Sequence, residues 1–350
     1  MKIIVLNGSF VKIDEIESFS SIVWTDRYAA EGEFEIVLNP EAEIVNSIKD
    51  GYYLQTDVSD KTMVIQSINS EYDEEAGTVI PVSGNSLETI LRWRVIAYMT
   101  TLTGNLQDGI KKILDENVIS PTNLDRKIPN FVFKASTNPK ITALTVNTQF
   151  TGDEVYEAIV SLCESNKIGF RVTLNENNQF EFELVCGVDR SFSQEINPYI
   201  TFSPSFKNLK SSQYIYSSKD HRNVAYIAGE GEGAARKYSA IGAGVGMARK
   251  EVFVDARDIS SDSGETVIPL VDYNKLLDQR GTEKLAEYPM IAAFEGDIYE
   301  STTYAYGKDF YSGDIVQIEN GFDAKVRVSE MVITYDESGL KMTPTFLKVE

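Results

Sequence analysis

The residues of this chain able to do chemistry are few and scattered. Its single histidine, His221, lies in the polar stretch Ser217-Ser218-Lys219-Asp220-His221-Arg222. A Ser-His-Asp triad or a two-His metal site needs a histidine in a defined partnership, and only one such partnership is open here. A solvated turn histidine is the plainer reading. Cys163 and Cys186 lack the CxxC spacing of zinc and thioredoxin-type sites. Two cysteines in a chain of this length suit a reducing compartment, where they serve as small buried hydrophobes.

Gly229-Glu230-Gly231-Glu232-Gly233-Ala234 has the GxGxxA spacing that lets a backbone approach a pyrophosphate at a helix N-terminus. Glu230 and Glu232 would set like charge beside the phosphates, and residues 234–240 are too few for the required helix. The expectation is a flexible, poorly ordered loop between two strands, whose glycine runs on either side of Arg236-Lys237-Tyr238 could order against a partner subunit. Residues 258–265 resemble a calcium loop, but the glycine is one position late and Pro269 stands where a bidentate Glu is required. Among 53 Asp and Glu no pair stands out for glycoside hydrolysis. Arg92 and Arg94 flank Trp93, either as a snorkelling surface pair or as an ion pair between domains or subunits. No catalytic residue, metal or cofactor is expected.

The elements that would position these residues are mostly strands. Val11/Ile13, Phe34/Ile36/Leu38 and Met63/Ile65 alternate with period two. The polar stretch 71–77 separates runs 63–68 and 78–82 as in a hairpin. From Gly84 the pattern turns helical. Asn85 followed by Glu88 offers a cap, with Leu87, Ile90 and Leu91 on one face. Further helices are expected over 105–118, with Ile110, Ile113 and Leu114 inward, and over 153–164, capped by Asp153. Phe170/Val172/Leu174 and Phe180/Phe182/Leu184 alternate around Asn175-Glu176-Asn177-Asn178, a hairpin signal. A last helix is expected over 272–288, stopped by Pro289. Asn320-Gly321 and Asp336-Glu337-Ser338-Gly339 punctuate three closing strands.

Composition bounds the function. With 350 residues, 42% hydrophobic and 25% charged, this is a folded protein of about two to four domains rather than a disordered or coiled-coil one. A net charge of −20 argues against a surface built to grip phosphates. The short apolar start Met1-Lys2-Ile3-Ile4-Val5-Leu6 falls short of a signal-peptide core, and no run reaches a membrane span, so a soluble, cytosolically made protein without a membrane anchor is expected. The fold class is mainly β with an α+β insertion. Small β-barrel-like regions at 1–85 and 296–350 enclose an α+β domain at 86–190 and a β-rich domain with glycine-rich loops and one helix at 191–295.

Read in order, four segments resemble the tail-associated baseplate hub proteins of tailed bacteriophages, of the siphophage type. They are Trp24-Thr25-Asp26-Arg27-Tyr28 with Gly32-Glu33-Phe34-Glu35-Ile36; Val82-Ser83-Gly84-Asn85-Ser86-Leu87 running into Ile90-Leu91-Arg92-Trp93-Arg94-Val95-Ile96; Asn223 to Gly231 with Arg249 to Arg257; and Tyr306-Gly307-Lys308-Asp309-Phe310 with Ser312-Gly313-Asp314-Ile315-Val316. The resemblance implies a homotrimeric ring closing the distal end of a tail tube, with two barrel-like domains per subunit matching a hexameric tube. Its partners would be the distal tail protein, the tape-measure protein and tail fibre or receptor-binding proteins, in the virion tail. Architectural or interface roles fall on Trp24, Arg27, Tyr28, Arg92, Arg94, Gly229, Gly231, Arg249, Asp255, Gly313 and Asp314.

DNA would pass through such a ring without being bound, because a lumen of carboxylates repels phosphates. At a Debye length of about 8 Å the effect is confined to DNA near the wall. Glu41, Glu43, Asp57 and Asp60 in one terminal region, and Asp297, Glu300, Asp309 and Asp314 in the other, are the candidate lumen charges. A tail-associated cell-wall hydrolase and a carbohydrate-binding receptor module are the alternatives; the first needs a carboxylate pair in a cleft, the second exposed aromatics such as Trp24 or Trp93.

Overall fold

A computed structural model describes residues 1–350 apart from 17, 41–46, 75–76, 263–266, 299–302, 322 and 350. The chain divides into two compact units: Met1–Thr89 with Gly169–Ile215 and Ala292–Glu350, and Ile90–Ile168 with Tyr216–Ile291. Each unit is therefore built from pieces distant in sequence.

The first unit is a β body. Its strands run in the order Ile291–Glu295, Gly339–Lys348, Ala324–Asp336, Ser21–Arg27, Glu33–Leu38, Gly77–Ser86, Ser59–Ile68, Tyr53–Thr56, Ile3–Leu6 and Lys12–Ile16. Both chain ends thus join one sheet through the antiparallel pair Ser21–Arg27 and Ala324–Asp336, with Trp24 opposite Ile333 and Arg27 opposite Glu330. The expected mainly β class holds. The barrel-like ends are not confirmed: among the described residues no strand path closes into a barrel, and the two terminal regions pair with each other. The alternation in Glu33–Leu38 buries Phe34, Ile36 and Leu38, and Met63 and Ile65 also face the core. Val11 and Ile13 point outward from an edge strand, leaving Ile16 as its buried residue.

The hairpins at 170–184, 315–336 and 324–348 form with the expected antiparallel registers. Asn178 supplies the positive φ that the tight turn of the first needs. The anticipated cap at Asn85 does not form. Asn85 lies within the strand Gly77–Ser86 and its side-chain amide donates to the Gly32 carbonyl, while Leu87–Trp93 is a 3-10 helix.

The second unit holds helices Leu106–Leu114, Val155–Ser165 and Leu270–Ala286 and a three-stranded sheet, Tyr238–Gly242, Val224–Ala228 and Glu251–Asp255. Ile110, Ile113 and Leu114 are buried as their spacing predicts. Asp153 does not cap the helix after it, for its carboxylate accepts from the Thr151 amide instead. Helix Leu270–Ala286 packs Tyr273, Leu276 and Leu277 onto Ala225, Ile227 and Val254 of the sheet. Gly281 permits that approach, since a Cβ there would lie 2.6 Å from Ile227 Cδ1.

Candidate functional site

The first hub-like segment is the strand that joins the two chain ends. In a strand, residues two apart share a face, so Ile22, Trp24 and Asp26 all point into the core. Trp24 packs on Phe34 with ring centroids 5.9 Å apart. A carboxylate in such surroundings requires hydrogen bonds, and Asp26 has three donors: Trp24 Nε1 at 3.1 Å, the Ser59 hydroxyl, whose Oγ lies 2.9 and 2.8 Å from its two oxygens, and the Tyr306 hydroxyl at 2.9 Å. Burial nevertheless pushes its carboxyl up to about 6, against the opposing pull of Lys61, Ser59 and Tyr306.

Lys61 lies nearby in a second buried pair. It is 5% exposed and bonds Glu88, which is fully buried and also accepts from the Val172 amide at 3.2 Å. Asp26, Ser59, Lys61, Glu88 and Tyr306 are the cluster that sequence reasoning missed. Asp26 and Tyr306 stand in two of the hub-like segments, and Asp26 is also an acid at the inward parity of an otherwise apolar strand face, but nothing in the sequence joins them to Ser59, Lys61 and Glu88. Glu88 has the spacing from Asn85 of a helix-cap acid.

Arg27 and Tyr28 extend the same strand end. The Arg27 guanidinium reaches Glu330 at 2.7 Å, Glu33 at 2.6 Å and the Glu31 carbonyl at 3.2 Å, spanning three strands with one planar fork. The Tyr28 hydroxyl donates to the Val185 carbonyl at 3.1 Å, and the Arg327 guanidinium lies 4.7 Å from the ring centroid. Its ring is flanked by two glycines. A Cβ at Gly313 would sit 2.3 Å from Tyr28 Cδ2, and one at Gly169 would sit 2.6 Å from Cε2. Gly313 also has φ +99°, which few other residues adopt.

Asp314 follows directly. Nearly fully buried, it accepts from the Val188 amide at 2.7 Å, the Tyr311 amide at 3.3 Å and Arg190 Nε at 3.1 Å. The structure thus brings Trp24, Arg27, Tyr28, Gly313 and Asp314 into one unit, where they bind its three chain pieces together.

The other expected residues lie in the second unit. Arg92 stacks 3.8 Å over the Tyr156 ring and pairs with Glu154 and Glu157, while Arg94 donates to the Arg126 and Trp93 carbonyls. The glycine loop is tied down rather than loose. Gly229 leaves room for the Tyr273 hydroxyl, which would lie 2.3 Å from a Cβ there. That hydroxyl accepts from the Glu230 amide and donates to the Ile259 carbonyl. Gly231 takes φ +97°, and Glu230 pairs with Lys237 across the hairpin. Arg249 bonds Glu251 and the Tyr226 hydroxyl; Asp255 pairs with Arg236 and Arg257, the Arg257 bond being the main cause that holds its carboxyl down at about 2. His221 is held by Nδ1 against the Tyr288 carbonyl at 3.0 Å.

Of the candidate lumen charges, Glu41, Glu43 and Glu300 lie outside the described residues. Asp57 accepts from the Lys2 amide, Asp60 pairs with Arg171, Asp297 with Lys341, and Asp309 accepts from the Ala305 amide. Trp24 is buried and offers no ring to a sugar; Trp93 is half exposed.

Residues 2–346 match the family described as Siphovirus ReqiPepy6 Gp37-like protein. The chain belongs to that family. Among solved structures, a 43 kDa tail protein of prophage MuSo2 from Shewanella oneidensis is similar with a TM-score of 0.60 and 13% identity, over 99% of this chain and 98% of that one. A tail protein from Neisseria meningitidis MC58 gives 0.59 and 13%, over 99% and 96%. The prophage tail protein gp18 from Listeria monocytogenes gives 0.55 and 11%, over 99% and 94%. At such identities the likeness shows a shared fold. No curated protein matches the chain. This Gp37-like protein accordingly shares its fold with those tail proteins.

Proposed function

We propose that three copies of this Gp37-like protein form the baseplate hub ring at the distal end of the tail tube. The ring joins the hexameric tube to the tip and closes or gates the DNA channel. The observation that carries this reading is the pairing of Ser21–Arg27 with Ala324–Asp336, which fastens the N-terminal and C-terminal β regions into one body. A threefold ring meets a sixfold tube when each subunit presents two β-rich regions in a fixed relation, and a heterologous interface closes such a ring by rotation. The buried Asp26 and Lys61–Glu88 groups and the Tyr28 wedge give that body its rigidity.

In this reading the protein is structural and has no catalytic role. Its neighbours are the distal tail protein, the tape-measure protein and tail fibre or receptor-binding proteins. DNA traverses the ring unbound, in keeping with a net charge of −20 per subunit. Tails assembled with an epitope-tagged copy and labelled with a Fab test the placement. Label confined to the tail tip supports it; label along the tube or at the head-proximal end overturns it.

A further inference from the structure

The three-stranded sheet of the second unit ends in an unpaired strand. Glu251–Asp255 runs parallel to Val224–Ala228, and among the described residues no other strand pairs with it. The Val224 amide donates to the Lys250 carbonyl and the Ala256 amide to the Ala228 carbonyl. In a parallel ladder alternate residues bond to the same neighbour, so positions 250, 252, 254 and 256 face Val224–Ala228. The backbone N–H and C=O of Glu251, Phe253 and Asp255 therefore face the open side.

That open side is a groove. Phe253, Val254 and Asp255 form one wall of a cleft of about 460 Å³, and helices Val155–Ser165 and Leu270–Ala286 form the others. Glu157, Ser161 and Glu164, spaced three and four apart on the first helix, line it from one face. Of the six carboxylates that line the cleft, Glu157 pairs with Arg92, Asp255 with Arg236 and Arg257, Glu283 with Arg280 and Glu287 with Lys284, which leaves Asp153 and Glu164 outside any ion pair among the described residues. Burial first, and then the neighbouring Glu287 and Glu157, push the Glu164 carboxyl up, so a cation placed beside Glu164 would relieve that crowding.

We propose that this groove docks an extended, lysine- or arginine-bearing segment of a partner protein as a fourth strand beside Glu251–Asp255. Main-chain bonds to Phe253 and Asp255 supply affinity, and alternate side chains reach the helix carboxylates. The charge of the lining selects this occupant: an acidic segment would add to the crowding, and a basic one relieves it. The inference stands apart from the hub reading, since a tail protein with any other place could use the same edge.

The test uses the full chain and a peptide of about eight residues alternating lysine and threonine, with a glutamate–threonine peptide as counterpart. Hydrogen exchange is expected to slow at the Phe253 and Asp255 amides on adding the lysine peptide and to stay unchanged with the glutamate peptide. Phe253→Pro removes an outward N–H that serves no bond in the sheet, and is expected to weaken binding about tenfold or more, a loss of about 1.4 kcal/mol. Phe253→Ala, which keeps the N–H, controls for the lost ring and for folding. Glu164→Lys should weaken binding as well. Equal binding of both peptides, binding without protection at Phe253 and Asp255, or protection that appears without peptide as protein concentration rises would each overturn the proposal, the last by assigning the edge to a second copy.

Discussion

The indole Nε1 of Trp24 donates to the Asp26 carboxylate at 3.1 Å, from two residues earlier on the same inward face of one strand. The bond satisfies a buried acid on the otherwise apolar inward face of that strand, at the seam between the N-terminal and C-terminal β regions. Stability, pH response and assembly of the first unit all bear on that seam.

Asp26 makes the first unit sensitive to mild acid in an unusual direction. Its carboxyl is raised from 3.8 to about 6 in the folded state, so the native form binds the proton more tightly than the unfolded chain. The stabilisation is full below about pH 4 and is lost as pH rises through 6, with a ceiling of about 3 kcal/mol. Urea midpoints taken from pH 4 to 7, read by Trp24 fluorescence in a Trp93→Phe background, should show this fall in the parent. Asp26→Asn should remove it. Identical pH profiles for the two proteins would contradict the assignment.

Lys61→Met is expected to cost about 3–5 kcal/mol, because it leaves Glu88 charged and buried without its partner. Adding Glu88→Gln should restore much of the loss, since the amide oxygen still accepts from the Val172 backbone. A double variant no more stable than Lys61→Met, measured by denaturant unfolding, would show that the pair is not an energetic unit.

Gly169→Ala should destabilise the first unit by about 1–3 kcal/mol through contact with Tyr28. Gly313→Ala should cost more, adding a strained backbone to the same clash. Tyr28→Phe removes the bond to Val185 and should cost about 1 kcal/mol. Thermal unfolding of the three variants checks the order.

Local signals in the sequence carried the hairpins and helix faces: the alternation at 170–184 and the spacing of Ile110, Ile113 and Leu114 are set by neighbours a few residues away. The resemblance also singled out Trp24, Arg27, Tyr28, Gly313 and Asp314, which the fold does bring together. Hidden from it were the partners. Lys61 on the strand Ser59–Ile68 meets Glu88 on the 3-10 helix Leu87–Trp93, and Tyr306 reaches Asp26 from the far end of the chain, so no spacing links them. Glu88 looked like a capping acid because a polar residue near a helix start has that use far more often than a buried ion pair. The pairing of the two terminal regions stayed hidden for a related reason. Strand alternation fixes which face is buried but not which strand lies alongside, and here the chosen neighbour of Ser21–Arg27 comes from the opposite end of the chain.

The isolated protein should release no sugar or peptide from cell walls. Turbidity and peptidoglycan-release assays should match buffer controls. Activity that a single Asp or Glu substitution abolishes would contradict the structural role and promote the hydrolase alternative.

A symmetry-free reconstruction of the distal end of assembled tails addresses the hub assignment most directly. The account predicts three copies of the chain around the channel, each contributing the fused β body of its first unit to a ring of six β-rich regions below the tube. Six copies, a single copy, or paired copies related by a twofold axis would contradict it.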